Sequence, residues 1–218
     1  MAPPICFFKQ APYCQAATDQ PRRPQRVSRA HALIILAALL WVGGIAVGIA
    51  AVERYEFTPG KSGLTPERWP VNSVIRPESG RATLIMLVHP ECSCTLASLD
   101  ELGVIMSRMR GKVSGWVLFA MASQTRERAE DGASWSKAEH IPGVRLLRDP
   151  QAREAARFGA LTSGHTVVYD QTGRLIFSGG ITGARGHEGD NPGREILLAA
   201  LGSGADRSSK YRVYGCPL

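Results

Sequence analysis

The chain has 218 residues, a net charge of +7, 44% hydrophobic and 21% charged residues, and five cysteines. That length fits one ordinary domain with some additional sequence, and the apolar share excludes a wholly disordered chain. Five cysteines are too few for a disulfide-stapled miniature fold, and an odd count leaves at least one thiol without an intrachain partner.

The positive charge is concentrated near the start. Residues 1–31 carry Lys9, Arg22, Arg23, Arg26 and Arg29 against Asp19, whereas both signs are interspersed over 53–218. A basic groove for nucleic acid is therefore not expected. Five prolines and the lack of apolar periodicity make 1–31 read as a disordered, basic, cytoplasmic tail in which Cys6 and Cys14 are inert. From Ala32 to Val52 no residue is charged. At about 1.5 Å per residue this stretch spans the roughly 30 Å hydrocarbon core of a membrane. Four arginines precede it, and Glu53, Arg54 and Glu56 follow. The positive-inside rule then predicts a single-pass inner-membrane helix over 32–52, with the N-terminus cytoplasmic and the C-terminal part periplasmic. A cleaved signal peptide ending near Gly48-Ile49-Ala50 is the rival reading, and it exports the same residues. Residues 53–80, with Pro59, Gly60, Gly63, Pro66, Pro70, Pro77 and Gly80, read as a linker.

Residues 81–202 alternate between strand and helix signals. Thr83–Val88 is a continuous apolar run, as a strand buried on both faces requires. His89-Pro90-Glu91-Cys92-Ser93-Cys94 follows as a turn. Leu99, Leu102, Met106 and Met109 recur at helical spacing and predict a helix over 95–109 with one core-facing stripe. A second strand covers 113–121. A polar stretch, 122–134, leads to a short helix near 135–140, and a third strand covers 144–147. Asp149-Pro150 predicts a helix start, with an N-cap acceptor followed by proline in the first turn, and Gly159 its end. Strands 166–169 and 174–178 flank Asp170-Gln171-Thr172-Gly173, a type I turn pattern that predicts an antiparallel hairpin. A last helix covers 192–201. Residues 203–218 form a tail that carries Cys216. The order implies an α/β domain: a mixed sheet flanked by helices on both faces.

At this point the chain resembles the thioredoxin superfamily. The resemblance rests on the cysteines between the first strand and first helix, on Leu146-Leu147-Arg148-Asp149-Pro150 with Ala155-Ala156-Arg157-Phe158-Gly159, and on Val167–Ile176. More narrowly, His89–Thr95, the glycine-rich run Phe177–Asn191 and Tyr214-Gly215-Cys216-Pro217-Leu218 resemble membrane-anchored proteins of the RedB type. The resemblance implies a thioredoxin-like fold, thiol–disulfide oxidoreductase activity without a cofactor, and protein thiols or disulfides of the periplasm as partners.

The cysteines carry the expected chemistry. Cys92 and Cys94 sit where a strand gives way to a helix N-terminus, whose free N–H groups and dipole favour a thiolate. The superfamily motif spaces its cysteines by two residues, whereas only Ser93 intervenes here. A disulfide closed over one residue is a strained and readily reduced ring. Either cysteine of the Cys-x-Cys pair is a candidate nucleophile. His89 and Pro90 border them. Cys216 follows a flexible run long enough to reach the same site, where it is either a resolving thiol or a disulfide partner; otherwise it is a free or intermolecular thiol. Superfamily members place a cis-proline just before the hairpin, but Gly164 and His165 stand there in this chain. That departure brings in a second reading, a Cu(I)-binding or metallochaperone domain using Cys92, Cys94 and His165 as soft ligands.

Overall fold

The computed structural model describes residues 28–121, 132–203 and 208–218. The expected basic tail up to 27, with Cys6 and Cys14, and residues 122–131 of the polar stretch lie outside the described residues. Two compact units divide the chain between Ala46 and Val47. Helix α1, Arg29–Glu56, makes up the described part of the first unit and continues into the second. It is long and apolar enough to cross a membrane. The helix outruns the expected 32–52 at both ends, since no helix breaker occurs before Pro59-Gly60.

The second unit contains β1 (Ala82–Val88), α2 (Cys94–Arg108), β2 (Val113–Met121), α3 (Ala133–Glu139), β3 (Val144–Pro150), α4 (Arg153–Arg157), β4 (His165–Tyr169), β5 (Leu175–Gly179), α5 (Pro192–Ser203) and β6 (Ser209–Lys210). The strands form one sheet in the order β3-β2-β1-β4-β5-β6. β1, β2 and β3 run parallel, β4 lies antiparallel to β1, β5 antiparallel to β4, and β6 parallel to β5. This is the mixed, helix-flanked sheet that the sequence implies.

β1 is central, so its side chains divide between two cores. Leu84, Met86 and Val88 join Leu99, Leu102 and Ile105 of α2, Phe119 of β2 and Leu197 of α5. Ile85 and Leu87 point the other way, to Phe158, Tyr169 and Ile75. The first face is covered by the expected amphipathic helices. The second needs more than α4, which has only five residues. The expected linker supplies the remainder. Ile75 is buried, and Trp69 packs edge-on against Phe158 and Tyr169 at 5.4 and 5.2 Å between ring centroids. Trp69 N–H donates to Gly173 O and Leu175 N–H to Glu67 O, both within 3.0 Å. Residues 57–80 are therefore part of the fold rather than a free tether. The glycines and prolines there let an irregular chain lie flat: a Cβ on Gly63 would sit 2.3 Å from Gly159 O.

α4 departs from expectation at its start. Asp149 and Pro150 end β3, and Gln151 and Ala152 take left-handed backbone, φ 63° and 51°. Asp149 still caps the helix, because its two carboxylate oxygens accept from Glu154 N–H and Ala155 N–H, each at 2.8 Å. Asp149 supplies the expected acceptor, but the chain bends before it turns helical, and Pro150 lies in β3 rather than in the first turn. The hairpin turn forms as expected, with Gly173 N–H on Asp170 O at 3.0 Å and Asp170 Oδ1 accepting from Thr172 N–H at 2.8 Å.

This topology places the carboxyl end of β1, the first turn of α2 and the start of β4 together. Leu87 pairs with His165 across β1 and β4.

Candidate functional site: three thiols at the start of α2

The strand-to-helix turn builds itself from local bonds. Cys92 N–H donates to His89 O at 3.2 Å, and Thr95 N–H to Cys92 O at 3.0 Å. Thr95 Oγ1 donates to His89 O at 3.1 Å. From across the sheet, Ser163 Oγ accepts from His89 N–H at 2.9 Å and lies 3.1 Å from Thr95 Oγ1. Thr95 has spent its proton on His89 O. The Ser163 proton is thus directed either to Thr95 Oγ1 or to the Cys92 sulfur beside it. Pro90 O accepts from Ser134 Oγ at 2.9 Å, and His89 Nδ1 accepts from Glu91 N–H at 3.2 Å. His89 and Pro90 are half-buried and flank the turn.

Cys216 reaches this turn. Its sulfur lies 3.0 Å from that of Cys92, about 1 Å beyond a disulfide bond of ~2.05 Å. Both are free thiols, as is Cys94. The segment that carries Cys216 is laid along the sheet by backbone bonds. Tyr211 N–H donates to Ser178 O, Gly180 N–H to Arg212 O and Gly60 N–H to Val213 O. Beyond Tyr214 the chain runs antiparallel to 161–163, with Ser163 N–H on Cys216 O at 2.8 Å, Leu218 N–H on Leu161 O at 3.1 Å, and a bridge between Thr162 and Pro217. Gly215 is required by this approach: a Cβ there would meet Ser163 O at 2.1 Å. The expected flexible tail is thus a docked strand from Ser209 on.

The three thiols differ in acidity. Burial works against a Cys92 thiolate, but hydrogen bonds from the Cys216 side chain and backbone, the Cys94 backbone and Ser163 outweigh it, so its pKa falls below the ordinary thiol value. The α2 N-terminus acts in the same sense. Burial raises the Cys94 pKa, and the adjacent Cys92 charge adds to it. Cys216 is pushed up to about 11 by burial and by Cys92. Arg185 partly offsets both of these rises. Its guanidinium donates to Gly215 O and to Tyr55 O, and stacks over the Tyr55 ring at 4.7 Å. Burial follows another order: Cys92 and Cys94 are 4% and 8% exposed, while Cys216 is more accessible and is followed by exposed Pro217.

Gly164 and His165 do not join the thiols in a ligand set. Gly164 has φ 85°, its N–H donates to Leu87 O at 2.8 Å, and a Cβ would come within 2.9 Å of Ser98 Oγ. His165 is 1% exposed and turns Nε2 to Ser178 Oγ at 3.0 Å, while Nδ1 is buried without a partner. Among the described residues no three of His, Cys, Asp and Glu gather as metal ligands. Cys92, Cys94 and His165 therefore lack the geometry that the Cu(I) reading asked for. Sequence reasoning missed Ser163, although it lies in the stretch that replaces the superfamily proline. Two cavities of about 510 and 650 Å³ open at the other end of the sheet, lined by residues such as Met109, Gly111 and Arg145, and hold no cysteine.

No protein-family model and no curated protein matches the chain. Two solved structures overlap it well. An uncharacterized conserved protein from Geobacillus kaustophilus is 20% identical with a TM-score of 0.52, covering 74% of this chain and 91% of its own. A hypothetical protein from Sinorhizobium meliloti 1021 is 17% identical with a TM-score of 0.52, covering 73% and 93%. A secreted Mycobacterium tuberculosis disulfide oxidoreductase matches at lower overlap, with a TM-score of 0.38 and 12% identity over 57% of this chain and 83% of its own. The strand order, with β1 to β3 parallel and β4 and β5 an antiparallel hairpin, gives the chain a thioredoxin-like fold, and the two structures with a TM-score of 0.52 share its architecture.

Proposed function

We propose that this protein is a membrane-anchored thiol–disulfide oxidoreductase of the RedB type. In this reading α1 holds it in the inner membrane, and residues beyond α1 face the periplasm, where protein thiols or disulfides are its partners. Cys92 supplies the thiolate and Cys216 is its disulfide partner. Cys94, one residue away, is the reserve thiol. The observation that carries this reading is the 3.0 Å approach of the Cys92 and Cys216 sulfurs at a helix N-terminus. Two cysteines 124 residues apart come together there, which incidental thiols on a solvated tail do not do. No cofactor enters the exchange, because a thiolate and a disulfide are all it needs.

The test uses the full chain in detergent. Treatment with a thiol oxidant should remove two hydrogens from the intact mass, and mapping should join Cys92 to Cys216. The reduced protein should then reduce a model disulfide, with the Cys92–Cys216 link as its product. All five thiols alkylatable after oxidation, together with no exchange, would overturn the reading.

A further inference from the structure

We propose that the partner's sulfur meets Cys216 rather than Cys92, so that partner and enzyme are joined through the C-terminal segment. This rests on the Cys92–Cys216 pairing described above. Three observations carry it. First, accessibility separates the two sulfurs. Cys92 is 4% exposed and walled in by Cys216, Ser163 and the α2 turn, whereas Cys216 is partly open and borders exposed Pro217. An attacking sulfur must approach along the S–S axis, opposite the departing one. Of the two sulfurs, Cys216 belongs to the more accessible residue.

Second, the departing sulfur should be the better leaving group, and thiols of lower pKa leave faster. Hydrogen bonds from the Cys94 backbone and Ser163 stay with Cys92 after the bond breaks. Cys216 keeps no comparable set of donors, and its thiol has the highest pKa of the three. Third, the attachment of the segment suits a sulfur that carries a load. Gly215 and Cys216 are held by Arg185 on Gly215 O, by Ser163 N–H on Cys216 O and by the short bridge of Thr162 with Pro217. These bonds can open without disturbing either core cluster beyond Leu218.

The exchange balances as follows. A partner thiolate attacks Cys216 Sγ, the Cys92–Cys216 bond breaks, and its electron pair leaves with Cys92 Sγ as a thiolate. The partner's second thiol, deprotonated, attacks the partner sulfur of the mixed disulfide. Cys216 departs and takes up a proton. The partner dithiol loses two electrons and two protons; the enzyme disulfide gains both electrons and one proton, on Cys216, and the other proton goes to solvent while Cys92 stays a thiolate. Run backward, Cys216 opens a partner disulfide and the Cys92 thiolate releases the partner from it.

The test takes the full-length Cys94→Ser chain in detergent, oxidised with diamide and freed of excess reagent, so that Cys94 cannot reshuffle the link. Glutathione is the probe thiol. Samples are acid-quenched within seconds, alkylated and digested after Arg212. Glutathione should appear on the Val213–Leu218 peptide in at least tenfold excess over the Cys92 peptide, with the alkylating group on Cys92. The wild-type chain should give the same ratio at the earliest times, which guards against a defect of the variant. Glutathione on Cys92 would overturn the inference and leave the proposed function standing. Absence of any Cys92–Cys216 link after diamide would overturn both, and it is seen before glutathione is added.

Discussion

Cys92 and Cys216 arrive at one point from opposite ends of the domain, and they are held there by different means. Cys92 belongs to a turn closed by bonds of short range, Cys92 N–H to His89 O and Thr95 N–H to Cys92 O, at the start of a helix whose Leu99, Leu102, Ile105 and Met106 are buried. Cys216 hangs from bonds to distant segments, to Ser163, Leu161, Gly60 and Arg185, made by its own stretch of chain. The first arrangement fixes a sulfur and its hydrogen-bond donors. The second brings a sulfur into place and lets it leave, since the stretch from Cys216 on is only partly buried and held by few bonds, and such stretches open at low cost. Disulfide exchange uses both properties, a prepared thiolate and a partner sulfur that can move.

The largest effect should come from removing the prepared sulfur. Cys92→Ser should reduce exchange with a model disulfide to the uncatalysed background, because a serine hydroxyl supplies neither a thiolate nor a disulfide. Cys94→Ser should keep most of the activity. The opposite outcome, loss with Cys94→Ser and retention with Cys92→Ser, would invert the comparison and make the tail thiol a bystander. Both variants are checked with the same model-disulfide assay at neutral pH.

The fixed half of the site is largely legible in the sequence, whereas of the movable half only the reach of Cys216 is, not the strand that docks it. The apolar run 83–88, the helical stripe from Leu99 to Met106 and the turn Asp170–Gly173 are local patterns, and each produced its element. Placing Cys92 and Cys94 at the first turn of α2 followed from them. Residues 57–80 carry no periodicity, and Trp69 and Ile75 find their places only because α4 is too short to cover its face of the sheet. The docking of 211–218 depends likewise on backbone bonds to Ser178, Gly180 and Ser163, which no spacing along the chain announces. His165 is the instructive failure. It opens β4 opposite Leu87, close to the cysteine turn, but its ring turns to Ser178 Oγ rather than to the thiols. A residue's place on a strand does not reveal which face it takes until the register is known.

The next effect concerns the support beneath the fixed half. Burial lowers the His165 pKa from 6.5 to about 4. In the unfolded chain this group takes up its proton near pH 6.5, whereas in the folded chain it resists protonation until about pH 4. The unfolded state therefore binds more protons between these values. Stability from this group is complete above pH 6.5 and is lost as the pH falls toward 4, by an amount of order 3 kcal/mol. Denaturant unfolding of the full chain in detergent should show this slope, and His165→Gln should flatten it. An unchanged slope would mean that another group governs acid unfolding.

A smaller effect should follow from loosening the movable half alone. Gly215→Ala places a Cβ against Ser163 O, where only 2.1 Å is available. The strand must lift, and the Cys92–Cys216 disulfide should form at least about tenfold less readily, because docking no longer holds the two sulfurs together. The measurement is the fraction of linked protein in a glutathione redox buffer. Overall stability should change little, since Leu218 is the one residue of the stretch from Gly215 on that packs against a core cluster. Unaltered linking would show that Cys216 reaches Cys92 without the strand, and the distinction between the two halves would weaken.

The finest probe acts on the single residue that touches both halves. Ser163 accepts from His89 N–H on the turn, presents its proton toward Cys92, and donates its own backbone N–H to Cys216 O. Ser163→Ala removes only the hydroxyl. The docked strand keeps its backbone bond, so the linked fraction that Gly215→Ala reduces should stay near wild type. The Cys92 thiolate loses one donor, and its pKa should rise toward the ordinary thiol value. A hydrogen bond to a charged acceptor contributes about 1.5 kcal/mol at the low end, but the remaining donors share the load. The alkylation rate of Cys92 at neutral pH should therefore fall only several-fold. A rate profile against pH for Cys92 in the reduced chain measures the shift directly. If the profile holds still while the linked fraction drops, Ser163 serves the strand and not the thiolate. Acidity at Cys92 would then rest on the Cys216 side chain, the backbone of Cys216 and Cys94, and the helix N-terminus.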